Sequence, residues 1–194
     1  MFEGEYLNGE RNGKGKEYYL NGKLKFEGEY INGEIWNGKG YNKNGKIEFE
    51  IKDGKGYIKE YNYVGALEFE GEYINGERNG KGKEYYYGGK LKFEIEFLNG
   101  KIISGTKYDN YGNIIMKLEN GKGKEYYKNG KCQFEGEYLN GKRWNGIGYS
   151  YGGKKEFEGE YLNGKKYGHG KEYDYNGKLI YEGEYPNGRK DYYY

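Results

Sequence analysis

The sequence predicts an all-β protein, built as an elongated, single-layer antiparallel sheet of tandem β-hairpins. Two observations support this prediction: a short phrase that recurs along the whole chain, and Asn-Gly pairs that separate strand-like runs. Glycine also recurs every few residues, which disfavours helix throughout. About 17 strands spaced about 4.8 Å apart would give an array roughly 80 Å long.

The recurring phrase is Phe2-Glu-Gly-Glu-Tyr-Leu-Asn-Gly9, and variants of it begin every 18 to 24 residues. A period of this length indicates stacked units, each of which buries its apolar face on its neighbours. We therefore expect a single repeat array over residues 1–194. Its units begin at about residues 2, 26, 49, 69, 93, 116, 134, 157 and 181, and the last unit is truncated. Residues 2–68 and 69–133 read as two copies of a three-unit block.

The turns predict the strand register. Asn-Gly between strand-like runs is a strong hairpin signal, and at Asn21-Gly22 we expect a two-residue turn with both residues at positive φ. Residues whose numbers sum to 43 would then face each other, which sets Lys16 against Glu27 and Gly15 against Gly28. The same exercise elsewhere again sets lysine or histidine against glutamate: Lys83 with Glu94, Lys124 with Glu135, Lys171 with Glu182 and His169 with Glu184.

Alternation along the strands then separates two faces. One face carries the lysines and glutamates and is predicted to be solvated. The other carries Gly15, Phe26, Gly28 and Tyr30, together with Tyr19 and Leu24. Facing glycines would leave a shallow trough in which aromatic rings lie flat, which explains glycines that otherwise weaken a strand.

The second connection of each unit varies. Residues 8–13 are predicted to form a six-residue loop, whereas Asp53-Gly54 and Asn120-Gly121 replace that loop by tight turns. The units at 26, 93 and 134 have a loop one residue longer, and the extra position holds Trp36, Ile103 and Trp144 respectively. These Trp side chains either bind a partner or fold back over the sheet.

Composition and charge exclude several classes of function. The net charge is +2 and lysine alternates with glutamate, which argues against nucleic acid and allows only weak or no binding of membrane lipid. The single cysteine, Cys132, excludes a disulfide framework and favours a reducing, cytoplasmic location. No apolar run approaches membrane-spanning length.

We expect no enzymatic activity, metal or cofactor. His169 takes the place of a lysine in the register, and Cys132 takes the place of a leucine beside a turn. One His and one Cys cannot form an ordinary zinc site. The paired glutamates of Glu-Gly-Glu recur in many units opposite lysines, so they read as a salt-bridged face.

The phrase Phe/Tyr-Glu-Gly-Glu-Tyr-x-Asn-Gly-x-x-x-Gly-x-Gly resembles the MORN repeat over essentially the whole chain, and Tyr18–Tyr30 also resembles the MORN variant common in bacterial proteins. The resemblance implies hairpins stacked into an antiparallel sheet. It also implies scaffold and protein-docking roles, with proposed lipid contacts. Where the family often has Trp after Gly-Glu, this chain has Tyr.

The predicted function is a non-catalytic scaffold that binds a peptide or helix of a protein partner on the Tyr/Gly face. The residues predicted to bind it are Tyr6, Tyr30, Trp36, Tyr73, Tyr138, Trp144, Tyr161 and Tyr185. Two alternatives remain open: a peripheral module that binds membrane phospholipid, and a structural module that forms homo-oligomers through its sheet edges.

Overall fold

The computed structural model describes residues 1–139 and 141–188, and in that part of the chain strands account for nearly all regular structure. No α-helix occurs among these residues, and Pro186–Gly188 forms a single 3-10 turn. The strands are β1 Phe2–Leu7, β2 Glu10–Tyr18, β3 Leu24–Ile31, β4 Glu34–Tyr41, β5 Ile47–Ile51, β6 Gly56–Tyr61, β7 Leu67–Ile74, β8 Glu77–Tyr85, β9 Leu91–Leu98, β10 Lys101–Tyr108, β11 Ile114–Glu119, β12 Lys122–Tyr126, β13 Cys132–Leu139, β14 Lys142–Tyr149, β15 Lys155–Leu162, β16 Lys165–Tyr173 and β17 Leu179–Tyr185. The predicted all-β class and its antiparallel hairpins are confirmed.

The chain divides into two compact units, Met1–Ile102 and Ile103–Tyr194. In the first unit, β1 to β5 form one antiparallel sheet in chain order, and β6 to β9 pair in chain order after a break. In the second unit, β10 to β17 pair in chain order. That the whole chain acts as one repeat array stays a prediction.

The predicted register is confirmed. Lys16 faces Glu27 and Gly15 faces Gly28 between β2 and β3. The other predicted pairs also face each other: Lys83 with Glu94, Lys124 with Glu135, Lys171 with Glu182 and His169 with Glu184. Opposite charges across an antiparallel pair therefore identified the partner strands correctly.

The two turn types are the reverse of the prediction. Asn8 and Gly9 both have positive φ (53° and 85°) and join β1 to β2 directly, with Leu7 facing Glu10. This is the two-residue turn that matches strand twist, so the predicted six-residue loop over residues 8–13 is wrong. The residue before glycine has the same conformation in six further turns: Asn32, Asp53, Asn75, Asn99, Asn120 and Asn163.

The turn at Asn21-Gly22 has one residue more than predicted. Only Gly22 has positive φ there, the Gly22 amide donates to the Tyr19 carbonyl, and the Tyr19 amide donates to the Lys23 carbonyl. These are the hydrogen bonds of a three-residue loop that closes with a glycine bulge. The same amide bond recurs at Gly45, Gly65, Gly89, Gly112, Gly130, Gly153 and Gly177. Next to the turn Tyr18 faces Leu24, and a second bulge at Lys25 then restores the register to the sum of 43, with Glu17 facing Phe26.

The Trp residues lie in strands, as bulges. Glu29 faces Asn37 and Tyr30 faces Ile35, which leaves Trp36 as an extra residue in β4. Trp144 is the extra residue between β13 and β14 in the same way. A bulge of this kind turns a side chain out of the regular alternation.

Candidate interaction surfaces

The aromatic face of the sheet is the core of each unit. In the first unit the buried cluster includes Phe26, Tyr30, Phe69 and Phe97. In the second unit it consists of Phe134, Phe157, Tyr161 and Tyr185. Most of the rings meet edge to face rather than lying flat, and Phe26 with Phe49 is a stacked pair. Phe134, Tyr161, Phe157 and Tyr185 form an unbroken series with ring centroids 5.2 Å apart, a geometry that adds to the stabilisation from buried area.

Glycines make room for these rings. A Cβ on Gly82 would lie 2.6 Å from the Phe69 ring, and a Cβ on Gly170 would lie 2.5 Å from the Phe157 ring. Each phenylalanine therefore occupies the volume above a glycine of the next strand. The facing glycines form a row across the strands, which we call the glycine row: Gly4, Gly15, Gly28 and Gly38 in the first sheet, Gly71 and Gly82 after the break, and Gly123, Gly136, Gly146, Gly159, Gly170 and Gly183 in the second unit.

A cation covers the rings in four repeats. The Arg78 guanidinium lies 3.9 Å from the centroid of the Phe69 ring, and the Arg143 guanidinium lies 4.7 Å from that of Phe134. Arg11 and Lys166 cover Phe2 and Phe157 in the same way. Such contacts are attractive because the ring face carries negative charge.

Each arginine also binds a glutamate that accepts a tyrosine hydroxyl. The Arg143 Nη2 atom lies 2.6 Å from Glu125 Oε2, and the Tyr138 hydroxyl donates to Glu125 at 2.6 Å. Burial alone raises the pKa of Glu125, but the hydrogen bonds from Arg143 and Tyr138 outweigh it, so this pKa lies below its ordinary value. Equivalent contacts join Arg11, Glu17 and Tyr30, and join Arg78, Glu60 and Tyr73.

The opposite face carries alternating charge. A lysine from the preceding strand and a tyrosine hydroxyl from the following strand converge on one glutamate: Glu135 binds Lys124 at 2.7 Å and Tyr149 at 2.5 Å. Glu27 binds Lys16 at 3.7 Å and Tyr41 at 2.5 Å, and the hydrogen bond to Glu27 raises the pKa of Tyr41 to about 12. Because each sign of charge neutralises the other, this face offers no uniformly positive surface.

A polar groove lies on this charged face. Its volume is about 480 Å³, and Gly4, Gly15 and Gly28 line it between charged side chains of both signs. Lysines and glutamates face each other across it.

The three-residue turns project aromatic side chains into solvent. The tips of five of them carry a tyrosine that is 61% to 86% exposed: Tyr63, Tyr87, Tyr111, Tyr151 and Tyr175. We call these side chains the turn tyrosines. Sequence reasoning missed them, although each stands one or two residues before the glycine that closes its turn. The available signal in the sequence was a tyrosine one or two residues before the glycine of a turn.

The comparison with family models agrees with the hairpin pattern. The model of the MORN repeat matches residues 2–23, 69–90, 112–132 and 157–178. Each matched segment covers one hairpin of this structure, without the first two residues of β7 and of β15 in the second and fourth segments.

The chain belongs to the MORN-repeat family.

MORN repeats are generally modules for interaction with proteins or membranes. The hairpins that contain Trp36 and Trp144 lie outside the four matched segments. A search of curated proteins found no match to the chain.

The MORN repeats bury half of the side chains predicted to bind a partner. Tyr30, Tyr73, Tyr161 and Tyr185 are core residues, so the trough predicted on the Tyr/Gly face is filled by the protein's own rings. Tyr138 is half-buried against the second cluster, whereas Tyr6 is 60% exposed. The binding role of these residues stays a prediction, and only Tyr6 among the six tyrosines presents most of its ring to solvent.

The two Trp residues differ from each other. Trp36 is half-buried, its carbonyl accepts the Gly54 amide at 2.9 Å, and a Cβ on Gly54 would lie 2.7 Å from its ring. Trp36 therefore covers the neighbouring turn. Trp144 is 44% exposed and remains accessible to a partner.

Chemistry-bearing side chains are few. Cys132 is half-buried, its thiol lies 3.3 Å from the Phe134 carbonyl, and burial raises its pKa, which disfavours the reactive thiolate. Among the residues described, no group of three or more His, Cys, Asp or Glu side chains could hold a metal ion. Nor does this part of the chain contain a helix long and apolar enough to cross a membrane.

Proposed function

We propose that this MORN-repeat protein is a non-catalytic scaffold that binds a protein partner through the turn tyrosines. The observation that supports the proposal is that tyrosine rings stand at the turn tips of both units, two in the first and three in the second, each largely exposed. Rigid hairpins present these rings, and the core does not require them. The docking surface therefore differs from the Tyr/Gly face that the sequence suggested.

Tyrosine suits such a role for physical reasons. Its ring offers a large contact area with only two rotatable bonds, so little conformational entropy is lost on binding. Aromatic residues are enriched in the buried centres of protein interfaces. In the second unit Tyr151 and Tyr175 lie beside Lys131 and Lys154, which reach the turn carbonyls of Gly152 and Tyr175. The lysines add polar contacts around the rings.

The alternative function, binding to membrane phospholipid, would require lysines that are free to contact lipid head groups. On the charged face the lysines form ion pairs with glutamates instead. We therefore propose a protein as the partner, in a cytoplasmic location. Binding to lipid head groups would fall steeply as salt rises past about 0.15 M, because charges are then screened over about 8 Å. Burial of aromatic rings is much less sensitive to salt.

The test compares two double variants of the full chain. Tyr151→Ser with Tyr175→Ser removes two turn tyrosines, whereas Tyr57→Ser with Tyr167→Ser removes two exposed tyrosines from strands. A partner captured by the native chain from the source cells should be lost with the first pair and kept with the second. The purified complex should survive high salt.

Three results would contradict the proposal: equal loss with both pairs, retention with both pairs, or a complex that high salt dissolves. Strong binding to anionic phosphatidylserine vesicles by the native chain, unchanged in the turn variant, would favour the membrane alternative instead. Far-ultraviolet circular dichroism confirms that each variant keeps its strands.

A further inference from the structure

Exposed aliphatic side chains stand beside the two-residue turns, on the charged face of the sheet. In five strands the residue before the turn follows a ring of the aromatic face, so alternation places it on the opposite, charged face. Each of these side chains is 42% to 55% exposed, and we call them the rim aliphatics: Ile31, Ile74, Leu98, Leu139 and Leu162. Single exposed aliphatic residues are common on protein surfaces, but a recurring row of them indicates an interaction surface.

The turns hold the rim aliphatics close to one another. In the first unit the Gly76 amide donates to the Gly54 carbonyl at 2.9 Å. A Cβ on Gly76 would lie 2.9 Å from the Cβ of Glu34, so the turns that follow Ile31 and Ile74 lie side by side. In the second unit the two leucines end strands β13 and β15, which are two strands apart in the sheet, or about 10 Å.

The charge that faces the rim aliphatics differs between the two units. Across the turn it is a glutamate in the first unit and a lysine in the second. The facing pairs are Ile31 with Glu34 and Ile74 with Glu77 in the first unit, and Leu139 with Lys142 and Leu162 with Lys165 in the second. Leu98 ends the last complete strand of the first unit, and Lys101 follows its turn.

The charged residues of these pairs are exposed, and within the described part of the chain no ion pair joins them. Partial desolvation, and after it the charges of Glu77 and Glu60, raise the pKa of Glu34. In the second unit Lys142 donates to the neutral side chain of Asn163 at 2.8 Å. Each unit therefore carries the charge that would neutralise the other.

We propose that the rim of the first unit in one copy of the chain packs against the rim of the second unit in another copy. Ile31 and Ile74 would meet Leu139 and Leu162, and the two glutamates would lie beside the two lysines. Burial of the aliphatic side chains would supply affinity. Charge would select the pairing, because two glutamate rims or two lysine rims in contact repel each other.

A second copy of the chain fits both rims at once, whereas an anionic membrane would fit only the lysine rim. Contact between unlike surfaces of two copies either occurs twice within a closed dimer or continues along a filament. The inference goes beyond the proposed scaffold role, since its surface and its partner both differ from those of the turn tyrosines.

The test measures self-association of the full chain by sedimentation velocity over a range of concentrations. The native chain should associate as its concentration rises. The acid variant Glu34→Lys with Glu77→Lys, and the base variant Lys142→Glu with Lys165→Glu, should each associate at least about tenfold more weakly. In either variant every contact between the two rims joins like charges.

Charge exchange locates the contact. An equimolar mixture of the acid and base variants should associate again, because opposite charges then meet. A chain with all four changes keeps the native net charge and should associate with itself. The matched control, Glu68→Lys with Glu156→Lys, alters exposed residues at the other ends of β7 and β15 and should associate as the native chain does.

The aliphatic side chains are tested separately. Ile74→Ser with Leu162→Ser should weaken association at least about tenfold, because less apolar surface is then buried. Far-ultraviolet circular dichroism checks that the strands persist. Should a charge variant fail to fold, this aliphatic variant against the matched control keeps the test decisive.

A chain that is monomeric at every concentration, a mixture that fails to associate, or an equal loss in the matched control would overturn the inference. So would a monomer that binds phosphatidylserine vesicles and loses them with the base variant, because lipid would then be the partner. Tyr151→Ser with Tyr175→Ser should self-associate as the native chain does. Failure here would therefore leave the capture experiment on the turn tyrosines unaffected.

Discussion

Hairpins β5–β6 and β11–β12 hold the same place in the two three-unit blocks, yet only the second forms a continuous ladder. Residues 116–119 face residues 122–125 throughout, whereas one isolated bridge, Lys52 with Lys55, joins the first pair. Compared with β11–β12, the hairpin β5–β6 contains two extra residues, Tyr57 and Ile58, both in β6. Ile58 faces Gly71 in the glycine row. The sheet of the first unit breaks at this point.

The two extra residues explain the break. In the continuous pairings on either side of the break, at least one of the two facing residues in the row is glycine: for example, Gly38 faces Ile51, Gly82 faces Ile95, and Gly123 faces Leu118. In the register of the Lys52–Lys55 bridge, Gly56 would face Ile51, but the residue of β6 in the row is Ile58, which faces Gly71. Gly56 therefore lies two residues out of the row. Ile51 and Ile58 are both buried in the first core cluster. The comparison indicates that a continuous sheet needs one row residue, such as Gly123, that faces both neighbouring strands.

The largest expected effect comes from removing that glycine in the intact hairpin. Gly123→Ile would set isoleucine against Leu118, and a Cβ at this position would already lie 2.8 Å from the Tyr138 ring and from the Lys117 carbonyl. We expect a loss of about 3 kcal/mol in the free energy of unfolding, measured by urea denaturation. Gly130→Ala is the control, because Gly130 closes a turn and a Cβ there meets no atom; it carries only a backbone cost at φ 77°. An equal loss in both variants would contradict the explanation.

The second prediction concerns an interaction that both hairpins contain. Each hairpin ends in a glutamate that binds an arginine and a tyrosine: Glu60 in β6 and Glu125 in β12. Glu125→Gln should destabilise the protein by about 2 kcal/mol at neutral pH, because Arg143 loses its charged partner. Folding lowers the pKa of Glu125. Its ionised form therefore adds to the free energy of unfolding above the ordinary carboxyl pKa, and this stabilisation is lost as the pH falls through the pKa of Glu125 in the folded protein.

The difference in the free energy of unfolding between the native chain and Glu125→Gln should therefore shrink as the pH falls below about 4.5. Denaturation at a series of pH values measures it. A difference that stays constant down to the acid-unfolded state would show that the carboxylate charge contributes nothing. Glu137→Gln, at an exposed position on the charged face, serves as the matched control.

A deletion should restore the ladder in the first unit. Without Tyr57 and Ile58, residues 51–61 would read Ile-Lys-Asp-Gly-Lys-Gly-Lys-Glu-Tyr, the pattern of residues 118–126. We expect amide hydrogen exchange in β5 to slow by about tenfold as β5 pairs with the shortened β6. Unchanged exchange in β5, with β7 to β9 still protected, would mean that the two extra residues do not cause the break.

The smallest effect concerns a lysine that changes partner at the break. Lys124 binds Glu135, which it faces, at 2.7 Å. Lys59 faces Glu70 but binds Glu48 of β5 at 3.2 Å, and this contact lowers the pKa of Glu48. A double-mutant cycle of Lys59→Met and Glu48→Gln should give a coupling of about 0.5 kcal/mol. Stronger coupling of Lys59 to Glu70 would show that the break has no effect on the charged face.

Sequence reasoning predicted the strands and their pairing because charge and glycine alternate together along each hairpin. It could not distinguish the two Asn-Gly turns, since Asn8-Gly9 and Asn21-Gly22 are chemically identical. They differ only in the number of residues between the paired strands, which is two in the first turn and three in the second. It also could not foresee that Arg11, Arg78 and Arg143 cover the aromatic face. Each of those arginines faces a tyrosine next to a shift in the strand register. Simple alternation fails there, so the aromatic rings beneath the arginines looked accessible.

The three-residue turns give this protein an unusual capacity for change. Only the closing glycine of each turn needs positive φ, as Gly22 and Gly153 do, and the two preceding positions already vary from Leu20-Asn21 to Tyr151-Gly152. Consecutive tips on one side of the sheet stand two strands apart, about 10 Å. Substitutions at those positions leave the ladder and the core untouched, so new specificities can arise one tip at a time. The same property makes the repeat a ready frame for engineered binding loops.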